Sequence, residues 1–149
     1  MSWLNIFGLI FVSVIMIPNI VYAIKCRDGF ENISVHKAAV ILEQTGRYAC
    51  IAFMVVILPW TEYGFRSVEA FLVYIFGNTV LILAYCVIWI VCFRKNNMFR
   101  AVSLSVIPSV VFLLSGVLSN YLPLVISSAI FAPFHIYISC KNVRKDVLK

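Results

Sequence analysis

Five long apolar runs separated by short polar stretches organise the chain: Leu4 to Ile24, Ala38 to Trp60, Val68 to Phe93, Ala101 to Ser119 and Tyr121 to Cys140. A helix rises about 1.5 Å per residue, so roughly 20 apolar residues cross a hydrocarbon core about 30 Å thick. All five runs match that length. A helix satisfies its own backbone hydrogen bonds where no water can do so. The pattern therefore predicts an all-α fold: a polytopic transmembrane bundle of about five helices, forming one transmembrane domain over residues 1–149. The links between runs are too short to hold a separate soluble domain.

Composition supports a lipid solvent. Hydrophobic residues make up 63% of the chain and charged residues 12%, with a mean hydropathy of +1.01. The net charge of +6 raises the question of nucleic acid. The twelve Lys and Arg residues, however, sit at the ends of apolar runs and form no aromatic-interleaved basic surface. No nucleic-acid partner is expected. The predicted partners are membrane lipids, with anionic headgroups against the basic residues at the cytoplasmic face.

Orientation follows from the same residues, because cytoplasmic loops carry the excess of Lys and Arg. Lys25, Arg27 and Lys37 follow the first run, Arg94, Lys95 and Arg100 the third, and Lys141, Arg144, Lys145 and Lys149 the fifth. The remaining two loops hold only Arg66. That asymmetry predicts the N-terminus outside and the C-terminus in the cytoplasm. The first run ends in Val21 and Ala23, which mimic a cleavage site, but nothing basic precedes it and a basic cluster follows, so it reads as a retained helix. Asn32-Ile33-Ser34 is a formal glycosylation acceptor that this topology places on the cytoplasmic side, where it goes unused.

Cys26, Cys50, Cys86, Cys92 and Cys140 are odd in number and contain no Cys-x-x-Cys pair, and most fall toward the reducing side. No structural disulfide is predicted. Cys26, Cys140, His36 and His135 gather toward that side without metal-ligand spacing, so no metal and no cofactor are assigned. Pro18, Pro108 and Pro133 fall inside runs and are expected to kink them. Ser105 with Ser109, and Ser115 with Ser119, place small residues four apart, where another helix can approach closely. Trp3, Trp60, Tyr63 and Tyr121 suit an aromatic belt at the outer interface.

Chemistry concentrates in the second run. Glu43 and Arg47 stand four apart on one helix face, acid first, the favourable order for an ion pair. About thirteen mostly apolar residues remain after Tyr48, too few to span, which places the pair at or just inside the cytoplasmic boundary. Such residues are costly in hydrocarbon unless paired, and they often mark a functional interior. The plain alternative is an Arg47 that snorkels to headgroups while Glu43 neutralises it. His135, after Pro133, falls about a turn and a half from the end of the fifth run, and Asn19, after Pro18, shares that depth. Asn19, Glu43, Gln44, Arg47, Tyr48 and His135 are therefore expected to line one polar pocket open to the cytoplasm. Asn78 lies deeper, where a lone asparagine usually bonds a neighbouring helix. No residue is assigned a catalytic role, since no nucleophile elbow, paired-histidine metal motif, phosphate loop or intramembrane aspartate is present.

The stretches Ile17 to Lys25, Asp28 to Asn32, Leu42 to Tyr48 and Ser105 to Ser109 resemble segments of an uncharacterised family of small five-helix integral membrane proteins of Gram-positive bacteria. That resemblance implies a multi-pass protein of a bacterial plasma membrane. It implies no activity and gives no residue a role. Three functions then compete. The first is binding or transport of a lipid or small amphipathic ligand through the cytoplasm-facing pocket, as a homo-oligomer or with a larger membrane partner. The others are an accessory or immunity-type subunit without its own ligand, and a membrane enzyme acting on a lipid-linked headgroup.

Overall fold

The computed structural model describes residues 3–25, 36–93 and 97–147, with side chains described as far as Val143. Within these residues the chain is all-helical, and five helices follow one another: α1 (Ile6–Lys25), α2 (Lys37–Val55), α3 (Val68–Val91), α4 (Met98–Leu118) and α5 (Leu122–Val147). Each is long and apolar enough to cross a membrane. Cys26, Arg27, the Asp28 to Ser34 stretch with Asn32, Arg94, Lys95 and Lys149 lie outside the described residues.

Contacts run α1 to α2, α2 to α5, α5 to α4, α4 to α3 and α3 back to α1, with α2 also touching α4. The helices thus close a ring in the order 1-2-5-4-3. Large apolar side chains cover the outside: Ile10, Ile17, Phe76, Val80, Leu83 and Ile90 are among those exposed. Asn78, Ser105, Ser109, Ser115, Ser119, Ser127 and Ser128 are buried instead. A water-soluble protein does not distribute its side chains this way, whereas a bundle solvated by lipid does. The buried hydroxyls largely serve their own helices; Ser109 and Ser119 donate to the carbonyls four residues back at 2.7 and 2.6 Å. Asn78 reaches across from α3, its Nδ2 donating to Ser115 Oγ at 3.0 Å. Pro18, Pro108 and Pro133 all lie within continuous helices.

Three boundaries differ from the apolar pattern. α2 ends at Val55 rather than continuing to Trp60, and Pro59, which has no N–H to donate to Val55 O, could not have carried the helical ladder on. Val56 is already extended and forms a short antiparallel bridge with Leu4. Asn5 N donates to Val55 O at 2.8 Å and Ile57 N to Trp3 O at 2.9 Å. α4 begins at Met98 and so takes Arg100 into its first turn. α5 continues to Val147, well past Cys140. Residues 141–147 contain neither proline nor glycine, so nothing in the local sequence stops the helix at Cys140. Lys141 adds a hydrogen bond to Tyr137 Oη at 3.2 Å.

At the end where α1 begins, aromatic rings weld the helices together. Phe65 packs edge-on against Phe71 and tilted against Tyr74, with centroids 5.1 and 5.0 Å apart, and Phe11 meets Tyr74 from α1. Tyr121 is fully buried here and does not join an interfacial belt. Its hydroxyl donates to Val56 O and accepts from Leu58 N, both at 3.1 Å, and so satisfies the backbone that α2 leaves unpaired where it stops. Trp3, Trp60 and Phe7 are exposed aromatics at this end.

Candidate functional site

Gly46 sets the site, because it lets two helix backbones touch. A Cβ there would lie 3.0 Å from both Cα and Cβ of Phe131, so α2 and α5 cross at this point with almost no space between them. Glu43 stands nearly one turn before the crossing on the buried face of α2, and His135 stands one turn after Phe131 on α5. The close approach brings their side chains together. His135 Nδ1 lies 2.8 Å from Glu43 Oε1, and the imidazole stacks on the Phe131 ring at 4.6 Å.

Arg47 completes the cluster from the same helix. Its Nε donates to Glu43 Oε1 at 3.0 Å, and Nη2 donates to the same oxygen. The Glu43 side chain is 5% exposed, that of His135 19% and that of Arg47 42%. Glu43 is thus the buried anchor and Arg47 the part that reaches outward. An ionised carboxylate only accepts, so His135 donates to it from Nδ1. Two of the five guanidinium N–H groups are used by Glu43, which leaves three able to donate to an oxygen-rich ligand.

Asn19 belongs to a neighbouring network. It accepts at Oδ1 from Tyr85 Oη at 3.0 Å and donates from Nδ2 to Ile15 O at 3.1 Å, beside Pro18. Gln44 and Tyr48 are placed elsewhere. Both are exposed on the outer face of α2, with Tyr48 at 68%, and neither bonds to the cluster. The six pocket residues thus divide into Glu43, Arg47 and His135 in direct contact, Asn19 bonded to Tyr85 apart from them, and two that face away. His135 sits twelve residues before the end of α5, not one and a half turns, because that helix runs on past Cys140.

No family model, curated protein or solved structure matches this chain. Its chemistry is read from geometry.

Two features of this half of the bundle were not legible as anything special. Tyr85 is only 2% exposed, yet in the sequence it is one aromatic among many in a uniformly apolar run. Arg100 was one of the loop cations, but it is buried at 8% exposure, its guanidinium 4.5 Å from the Tyr22 ring centre and 5.0 Å from that of Trp89. The Asn97 that starts α4 ahead of Met98 and Phe99 was the available signal that Arg100 falls inside a helix. Among the described residues no group of three or more His, Cys, Asp or Glu is positioned for a metal.

Proposed function

We propose that this chain is a multi-pass protein of a bacterial plasma membrane, with its N-terminus outside and its C-terminus in the cytoplasm, that binds the anionic headgroup of a lipid or small amphipathic ligand at Arg47. The observation that carries this reading is the partly exposed Arg47 side chain locked by a buried carboxylate. A lone arginine near hydrocarbon snorkels freely and holds nothing in particular. Arg47 instead has its fork fixed by Glu43, which His135 fixes from a second helix. A fixed fork loses little freedom on binding and matches the oxygens of a phosphate or carboxylate. The basic residues at this end of the bundle, Lys25 and Lys37 among them, add the long-range attraction.

The headgroup would lie against Arg47 with its chains along the apolar exterior. Direct binding is favoured over catalysis because the one clear proton-transfer pair, Glu43 with His135, is committed to holding the helices together.

Native mass spectrometry of the purified chain tests the proposal. Wild-type protein should retain an anionic lipid, and Arg47→Gln should lower that retention about tenfold, the equivalent of one charge-assisted hydrogen-bonded group. Arg66→Gln, at the other end of the bundle, should leave it unchanged. Equal retention by the Arg47→Gln chain would overturn the assignment.

A further inference from the structure

The end of the bundle away from Arg47 carries a second pair of opposite charges, and the way α4 terminates fixes it. Beyond Leu118, Tyr121 N donates to Gly116 O at 2.9 Å and Asn120 N to Val117 O at 3.2 Å. These bonds close a Schellman motif whose left-handed residue is Asn120, at φ 53°. Glycine is the usual residue there; asparagine tolerates the conformation and adds an amide. Both ends of that amide are engaged. Arg66 Nη2 donates to Asn120 Oδ1 at 3.2 Å, and Asn120 Nδ2 donates to Glu62 Oε2 at 3.4 Å. Between them in the chain, Gly64 N donates to Ser119 O at 3.0 Å and ties this segment to the end of α4. A cation and an anion are thus held on either side of one fixed amide.

Beside this rim lies a groove of about 430 Å³. Ala70 on α3 and Gly116 on α4 are its small residues, Val117 and Leu122 wall it, and Arg66 and Asn120 supply its polar lining. An apolar cleft of that size with a few polar groups at one end is the form of a site for an amphiphile. Val117 and Leu122 are 59% and 65% exposed, so the groove opens outward, where lipid lies. Its level is set by three helix ends. α3 begins two residues after Arg66, α4 ends at Leu118 and α5 begins at Leu122. Exposed Trp3 and Trp60 mark the same end as interfacial. The polar rim therefore stands at headgroup level and the apolar walls just inside it.

The geometry points to a zwitterionic phospholipid in this groove, its phosphate diester on Arg66, its primary ammonium on Glu62 and the start of its chains against Val117 and Leu122. Asn120 uses one of the five guanidinium N–H groups of Arg66, and four remain for phosphate oxygens. Glu62 accepts one bond among the described residues, through Oε2, and Oε1 remains for an ammonium. A net anionic head is disfavoured, because the segment between α2 and α3 sets Glu62 and Glu69 against Arg66 alone. That balance separates this site from Arg47, whose end of the bundle is basic. A choline head has the same charges but no N–H, so it cannot donate to Glu62. The inference rests on the membrane-inserted reading, in which this end faces the outer leaflet, and it stands independently of headgroup binding at Arg47.

Native mass spectrometry of the full chain tests this, with equimolar dioleoyl phosphatidylethanolamine, phosphatidylcholine and phosphatidylglycerol offered together in mild detergent. Wild-type protein should retain phosphatidylethanolamine about tenfold over phosphatidylcholine, the worth of one charge-assisted hydrogen bond. Glu62→Gln should abolish that preference. Arg66→Gln should lower phosphatidylethanolamine retention about tenfold and leave the phosphatidylglycerol at Arg47 in place. Arg47→Gln should do the reverse, so the two sites fail separately. Glu62 and Arg66 are both exposed, and their variants should fold. Ala70→Leu, which fills the groove and keeps both charges, should also lower phosphatidylethanolamine retention. Soluble glycerophosphoethanolamine, the same head without chains, should not displace the lipid at equal concentration. Equal retention of the three lipids, a phosphatidylethanolamine preference that survives Glu62→Gln or Arg66→Gln, or displacement by the soluble head would each overturn the proposal.

Discussion

Replacing Glu43 with alanine should destabilise the bundle by about 3 kcal/mol, the low end of the cost of breaking a buried charge pair. Glu43 Oε1 is the acceptor for both His135 Nδ1 and Arg47, so its removal strips two helices of their shared partner at once. The cost sits at the low end because Arg47, 42% exposed on its side chain, can turn outward to headgroups, whereas His135, at 19%, has no such route. Glu43→Gln keeps an acceptor and should recover part of the loss. Removing Arg47 as well should cost less than the two single changes added together, since the residues act as one unit. Thermal unfolding in a mild detergent, followed by helical circular dichroism, measures all three variants. An Glu43→Ala chain that melts with the wild type would show that the pair contributes nothing to the fold.

Gly8→Ala should have the next largest effect, at about 2 kcal/mol, within the range for forced overpacking. A Cβ at Gly8 would lie 2.0 Å from Met54 O, and that obstacle is backbone, which cannot rotate away. α1 would have to move off α2. Doing so also disturbs Asn5, whose N donates to Val55 O and whose Oδ1 accepts from Gly8 N at 3.1 Å. Gly64→Ala, with nothing within 4 Å of the added carbon, is the internal control and should melt within about 0.5 kcal/mol of the wild type. Equal melting of the two variants would show that α1 does not lean on Met54.

Helix number and approximate place were readable because hydrophobic run length is a direct physical requirement of a bilayer. The ends were less readable because other forces set them. α2 stops at Val55, where Val56 turns extended and pairs with Leu4, and Tyr121 takes up exposed backbone groups from 63 residues away, tertiary events that no local pattern reports. α5 extends past Cys140 because helical continuity does not require apolar residues, only the absence of a breaker. The Glu43–Arg47 pair was legible from spacing, and the depth of His135 relative to it came from counting turns. Their contact depends on Gly46 meeting Phe131 across the bundle, which sequence spacing does not encode. Gln44 and Tyr48 shared the depth of the cluster but not its azimuth: positions one residue from Glu43 and Arg47 turn about 100° around a helix and leave the site. Arg100 was misread for a related reason, as a cation counted with a loop although α4 had already begun.

The headgroup site proposed at Arg47 depends on five crossings with the basic end in the cytoplasm, and paired reporter fusions in a bacterial host test that directly. Alkaline phosphatase inserted after Gly64 should be active, and phosphatase at the C-terminus inactive, while green fluorescent protein at the C-terminus should fluoresce. A dark C-terminal fluorescent protein together with active C-terminal phosphatase would invert the bundle and contradict the cytoplasmic placement of the site.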